Sequence, residues 1–277
     1  MRLSEEQIAR YAQEGFLMLE KVFTDEEVTL MREEMVKIIA EECPRRIMEK
    51  NGAVRSFFAP EYDNETFRRV ERAKRLLQPA EQLVGNRVYI HQAKLNTKHA
   101  MVGDWWEWHQ DFTFWKLDDG MPNPDVVTAM VYLNEINEFN GPLLLIPGSH
   151  KAGVIDPEGK TALTSVTEED TRFRAYQASK PYLSALTADL KYTVAQQTVA
   201  EWAVKKGLYS AKGPAGSVLF FHGNILHASS NNLSPWDRHT LLVTYNNVAN
   251  ALSEVESPRP SFIANRNFTA LICLEEA

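Results

Sequence analysis

The sequence predicts a mainly β protein, a double-sheet jelly roll with helices flanking it on the N-terminal side. Three observations predict it. From Arg87 onward the chain breaks into short segments rich in Val, Tyr, Ile and Leu, separated by Gly, Pro, Asn and Asp, which is the pattern of an all-β region. About eight such segments occur, enough for the two sheets of a jelly roll, whose interior can house a ligand. Ahead of Arg87 the apolar residues recur at helical spacing instead.

The elements follow in order. Ser4 opens a Ser-x-x-Gln capping box, Ile8 and Tyr11 share one face, and Gly15 is the stop, so the spacing predicts a helix over 4–14. Phe16 to Leu19 form a short predicted strand. Thr24-Asp-Glu-Glu27 is a second capping box, after which Val28, Met31, Met35, Ile38 and Ile39 keep one face apolar as far as Pro44. Strands are predicted over 87–96, 104–111, 125–133, 142–147, 207–212, 216–222, 225–229 and 239–248. Between His150 and Tyr192 the chain is polar and mixed, with Glu168-Glu169-Asp170, and too long for an ordinary connection, which predicts a partly helical lid insertion. Thr193-x-x-Gln196 is expected to cap one more helix, with Val199, Trp202 and Ala203 on one face, Lys205 and Lys206 in the last turn and Gly207 as terminator. No repeat, low-complexity tract or linker interrupts the chain. A single domain over 1–277 is therefore expected: a helical flank at 1–86, a jelly-roll core at 87–150 and 207–248, and the lid insertion with its helix at 151–206.

Composition excludes several classes. A chain of 277 residues that is 44% hydrophobic and 10% aromatic has ample material for a buried core. A net charge of -7 gives no basic footprint for nucleic acid. No segment approaches the roughly 18 uninterrupted apolar residues of a membrane helix. The start, Met1-Arg-Leu-Ser-Glu-Glu6, is polar where a secretory signal would be apolar. Cys43 and Cys273 lie far apart without metal-ligand spacing, so both are expected to be structural or neutral, in a reducing cytoplasm.

The chemistry starts at Trp108-His109-Gln110-Asp111. A strand places residues i and i+2 on one face, so His109 and Asp111 on the predicted strand would present an imidazole and a carboxylate to one metal ion. Such a tripeptide alone arises by chance. Its setting adds weight, because Trp105, Trp106, Trp108, Phe112, Phe114 and Trp115 crowd around it as the apolar wall of a ligand pocket would, although some of these Trp residues would look the same in an aromatic core. A third ligand is offered by His222 or His227 in Phe220-Phe-His-Gly-Asn-Ile-Leu-His227. His227 is favoured, because eleven residues later Arg238 opens a strand with a planar guanidinium suited to grip the distal carboxylate of a 2-oxo acid. By frequency alone an arginine is more often half of a surface ion pair. Two histidines and a carboxylate with open positions suit ferrous iron and oxygen, so the residues point to a mononuclear non-haem iron oxygenase. His91, His99, His150, His222 and His239 are assigned structural or solvent-facing roles.

At this point ordered motifs match a family. Gly52-Ala-Val-Arg-Ser-Phe-Phe58, Val88-Tyr-Ile-His-Gln92, Trp108-His-Gln-Asp-Phe112, Asp119-Gly-Met-Pro122, Phe139-Asn-Gly-Pro-Leu143, Ile146-Pro-Gly-Ser-His-Lys151, Gly213-Pro-Ala-Gly-Ser-Val218 and Pro258-Arg-Pro260 cover most of the chain. It resembles the phytanoyl-CoA dioxygenase superfamily of iron(II)- and 2-oxoglutarate-dependent oxygenases, and within it ectoine hydroxylases and related amino-acid hydroxylases. The resemblance implies a cupin-like double-stranded β-helix. It also implies His109, Asp111 and His227 as iron ligands, Arg238 as the 2-oxoglutarate anchor, and Thr128 and Asn96 as further contacts to the cosubstrate. The reaction implied consumes O2, with ascorbate as a supporting reductant, and releases succinate and carbon dioxide while an unactivated C–H becomes an alcohol. Related halogenases lack the carboxylate ligand, so Asp111 argues for hydroxylation.

The substrate pocket implied by the same resemblance comprises Phe58, Gln92, Trp115 and Phe221, with two departures from the ectoine pattern: Lys94 stands where an arginine is expected, and Leu242 replaces an aromatic ring. Lysine attracts a carboxylate as a point charge without the planar fork, and the lost ring weakens the case for a flat heterocycle. A free aliphatic amino acid or similar small zwitterion is thus the first expectation and ectoine the second, while Lys94 facing solvent and Leu242 filling core remain the plain alternatives. No nucleic-acid or membrane partner is expected; a homodimer is compatible with the sequence. Two other classes would keep the fold: a non-catalytic binder of metal or 2-oxoglutarate, and a zinc hydrolase using the same three ligands.

Overall fold

Both capping boxes close in the computed structural model, which describes residues 1–155, 168–180, 182, 183, 186, 187 and 190–274. Ser4 accepts from the amide of Gln7 and starts α1 (Glu5–Glu14), and Gly15, at φ +83, ends it where a side chain would be strained. After β1 (Phe16–Leu19), Thr24 caps α2 (Asp25–Ile39), which ends five residues short of Pro44. Four elements that the sequence reading left unassigned follow: β2 (Arg46–Met48), β3 (Val54–Phe58), α3 (Glu65–Glu71) and α4 (Lys74–Val84).

The predicted strands then appear, most of them trimmed at their ends. They are β4 (Val88–Lys98), β5 (Trp106–His109), β6 (Val126–Tyr132), β7 (Leu143–Leu145), β8 (Tyr209–Ala211), β9 (Val218–His222), β10 (His227–Ser229) and β11 (Arg238–Asn247), with helices α5 (Asp111–Asp119), α6 (Glu168–Ala178) and α7 (Gln196–Lys206) between them. Every named pairing is antiparallel. A seven-stranded sheet runs β1-β9-β6-β11-β4-β3-β2, and a four-stranded sheet runs β5-β10-β7-β8. This is the expected double-stranded β-helix with flanking helices and a partly helical insertion.

Period-two alternation sorts the large sheet into two cores. On β6, Val127, Ala129 and Val131 face Met31, Met35, Leu76 and Ala80 of the flanking helices. Met130 and Tyr132 face the other way and meet Leu143, Leu145, Phe221 and Leu242 between the sheets. That second layer opens into a cavity.

Two local expectations need correction. The predicted strand 104–111 stops at His109, and Asp111 is the first residue of α5. The cap expected from Thr193 does not form, since α7 starts after Ala195 without a side-chain cap bond. The amide of Val194 is instead drawn to the carbonyl of Trp108 (2.9 Å), which keeps the chain extended there. Residues 156–167 of the expected lid lie outside the described residues. Among the described residues no helix is long and apolar enough to cross a membrane.

Candidate metal centre

The centre is built on a backbone register. His227 on β10 pairs directly with His109 on β5, which brings two imidazoles to one place, their ring centroids 4.2 Å apart. The chain then breaks from strand to helix at Gln110, and the first residue of α5 swings its carboxylate between them. Nε2 of His109 lies 3.5 Å from Oδ1 of Asp111, and Nε2 of His227 lies 3.8 Å from Oδ2. His109 and Asp111 thus meet at a strand-to-helix turn, not on one face of a strand. The ligand atoms all fall within 4.8 Å of one another, close enough to hold a single metal ion.

The imidazole tautomers suit such an ion. Nδ1 of His109 sits 2.5 Å from the carbonyl of Glu107, and Nδ1 of His227 sits 3.0 Å from the carbonyl of Ile225. A carbonyl only accepts, so each Nδ1 carries the proton and each Nε2 lone pair is left for a metal. Burial would push the Asp111 carboxyl up, but His227 and His109, in their protonated forms, and the Lys94 ammonium outweigh it and hold the group well below the usual carboxylate range.

The same cavity is lined by Arg238, the first residue of β11. Its side chain is 1% exposed, and its Nε and Nη1 have no hydrogen-bond partner among the described residues. Burial pushes it down to about 10. A buried guanidinium without an anion is costly, so the arrangement suits a carboxylate arriving with a ligand.

The other predicted positions divide. Gln92, Lys94, Asn96, Trp115, Phe221 and Leu242 all line the cavity. The Lys94 ammonium lies 5.7 Å from the Phe58 ring centroid and 5.4 Å from that of Trp106, and burial lowers its pKa while Asp111 pulls it back up. Phe58 itself is not a lining residue. Neither is Thr128, whose hydroxyl is 3.0 Å from that of Thr244. Of the aromatic residues around the motif, Trp106, Phe114 and Trp115 line the cavity, Trp108 and Phe112 pack in neighbouring clusters, and Trp105 is 52% exposed.

Among the lining residues not singled out as site residues, one is charged. Arg259 reaches the cavity from the C-terminal tail and forms a bidentate pair with Asp119 at 2.7 and 2.5 Å, and Asp119 also faces Nε2 of His91 at 3.2 Å. The motifs Pro258-Arg-Pro260 and Asp119-Gly-Met-Pro122 held the signal, but not that they meet.

Burial lowers His222 and His227 to about 4, helped by His150 beside His222 and by His109 beside His227. The unfolded chain, with ordinary imidazoles near 6.5, takes up protons first as pH falls, so this stability is complete above about 6.5 and is lost toward about 4. Metal-free protein is expected to lose about 2 kcal/mol per group between pH 7 and 5. Urea midpoints at the two pH values measure this, and an unchanged midpoint would contradict it.

Comparison with known proteins adds the following. Residues 11–240 match the family described as Phytanoyl-CoA dioxygenase (PhyH). The chain is 35% identical over 264 residues to an L-proline trans-4-hydroxylase of Streptomyces griseoviridis, covering 95% of this chain and 93% of that protein. It is 34% identical over 272 residues to an ectoine dioxygenase of Bordetella bronchiseptica, covering 95% and 83%. The crystal structure of EctD from S. alaskensis with 2-oxoglutarate and 5-hydroxyectoine superposes with a TM-score of 0.79 at 29% identity, covering 99% of this chain and 87% of that one. The same protein with bound Fe gives 0.78 at 28%, covering 99% and 87%.

Proposed function

The chain belongs to the phytanoyl-CoA dioxygenase family, and from that premise we propose that it is an iron(II)- and 2-oxoglutarate-dependent hydroxylase acting on a small amino-acid-like substrate. The observation that carries this reading is the meeting of a metal-spaced His109, Asp111 and His227 in one cavity with a buried Arg238 whose Nε and Nη1 have no hydrogen-bond partner among the described residues. A hydrolase with three such ligands would have no use for that guanidinium.

Each residue has a role in this reading. The three ligands supply two neutral nitrogens and one charge and leave positions open. Iron(II) bound there would supply oxygen activation, coupled to conversion of 2-oxoglutarate to succinate and carbon dioxide. Arg238 takes the distal carboxylate of the cosubstrate in its planar fork. Asn96 lies on the same wall; its Oδ1 accepts from the Ser56 hydroxyl at 2.9 Å, so its amide NH2 is the donor it can offer. Phe221, Trp115 and Leu242 exclude water from the reacting C–H. Ascorbate would keep the iron reduced, and a reducing cytoplasm suits the two free cysteines.

For the substrate, Lys94 is the recognition charge. Held against two rings, its ammonium calls for a carboxylate from the ligand, and Leu242 leaves an aliphatic wall. This favours a free aliphatic or cyclic amino acid, and the relative named L-proline trans-4-hydroxylase supports the class. Ectoine is the second reading, supported by the relatives named ectoine dioxygenase.

The test is an incubation with iron(II), ascorbate, 2-oxoglutarate and air, scanned over free amino acids, L-proline included, and ectoine. Succinate is expected to rise above background with at least one amino acid, with a product one oxygen atom heavier. Succinate driven by ectoine alone would select the second reading. No substrate-dependent succinate, with hydrolysis by zinc-loaded protein under argon, would end the oxygenase assignment.

A further inference from the structure

We propose that His99, Asp237 and His239 form a second metal site, taking a zinc-type divalent ion on the outer side of the β4–β11 ladder. In that ladder Arg238 is opposite Lys98 and His239 is opposite Thr97. His99 and Asp237 immediately flank the ends of these two strands, and their side chains approach to 3.8 Å. The Asp237 carboxylate lies between the two imidazoles, facing His99 on one side and His239 on the other. Arg238, between Asp237 and His239 in the chain, faces the cavity.

The spacing matches that of the first centre. Nδ1 of His99 is 3.8 Å from Oδ1 of Asp237, and Nε2 of His239 is 3.9 Å from Oδ2, against 3.5 and 3.8 Å at His109, Asp111 and His227. The three ligand atoms again lie within 4.8 Å of one another. The decisive atom is Nε2 of His239. The residue is only 8% exposed, and this nitrogen has no hydrogen-bond partner among the described residues. A buried polar atom left unpaired costs on the order of 1–3 kcal/mol, and a metal bond would remove that cost.

The surroundings fit entry and binding. His99 and Asp237 keep 30% and 43% of their side-chain surface exposed, which gives a hydrated ion a path and leaves room for a water ligand. The carboxylate is oriented from behind, because Oδ1 of Asp237 accepts from the amide of Ala100 at 2.8 Å. Burial lowers the His239 pKa to about 4 and so favours its neutral, ligating form; Asp237 opposes this, while His99, Arg238 and Arg32 act in the same direction as burial. Two imidazoles and one carboxylate are nitrogen-rich for calcium or magnesium and suit zinc. The ion would tie β4 to β11 beside the cavity arginine.

The test does not depend on catalytic activity. Metal-free full-length protein is equilibrated with zinc and the bound metal counted by elemental analysis. Two equivalents are expected, falling to one in His99→Gln/His239→Gln and to one in Asp111→Ala/His227→Ala. Cobalt bound to the latter variant should give a visible absorption band that His99→Gln, a change at a partly exposed position, removes. Two equivalents retained by the His99→Gln/His239→Gln protein, or a single equivalent in the unaltered chain, would overturn the site.

Discussion

Arg238→Met is expected to make the ligand-free protein more stable while crippling its use of 2-oxoglutarate. The guanidinium is buried with two of its nitrogens unpartnered among the described residues, and Lys98 and Arg55 are further basic groups close enough to register electrostatically. Replacing a buried charge by an apolar side chain of similar length should raise unfolding free energy by about 1–3 kcal/mol. The same change leaves the distal carboxylate of the cosubstrate buried without its cation, a loss of about 2–5 kcal/mol, so the KM for 2-oxoglutarate should rise roughly 30-fold or more. Arg238→Lys restores the charge but not the fork and should recover only part of the affinity. Thermal melts with and without 2-oxoglutarate, beside steady-state KM values, measure both signs. A variant that melts lower with an unchanged KM would make Arg238 a structural residue.

Asp111→Ala is expected to abolish turnover with little change in fold. The carboxylate is the negative charge between His109 and His227, and without it two neutral imidazoles must hold a divalent ion alone. Loss of an outer partner of a metal ligand typically costs roughly 10–100-fold, so removing the ligand itself should cost more. Asp111→Asn, which keeps the shape and removes the charge, should behave alike. Circular dichroism should be unchanged and iron content should collapse. Full activity with retained iron in either variant would remove Asp111 from the centre.

The strands that build the cavity were legible because each alternates a helix-facing and an inward residue. Val126–Tyr132 and Val218–His222 fall inside their predicted ranges for this reason. His109, His227 and Arg238 were legible from residue chemistry and spacing. Helix α5 was not, since Asp-Phe-Thr-Phe-Trp carries aromatic residues of high strand propensity, and packing of Phe112 and Trp115 against Met121, Val126 and Leu190 overrides it. Gly120 as terminator and Asp111 as a first-turn acid were the available signals. β2 and β3 are three and five residues long, and β3 finds its partner in β4 some forty positions on, which no local pattern encodes. The pairing of Arg259 with Asp119 across 140 residues was hidden for the same reason.

The facing of His109 and His227 across a main-chain ladder also bears on how such a chain can diverge. Their separation is dictated by backbone pairing, which is indifferent to most side chains, while the polypeptide connecting them contains the long insertion. Among its described residues that insertion contributes Leu186 and Leu190 to the cavity and no ligand. Drift in the insertion, or at Leu242, would therefore remodel what is admitted without moving the three candidate ligands. One scaffold can in this way be retuned to many small molecules while the spacing of its three candidate ligands stays fixed.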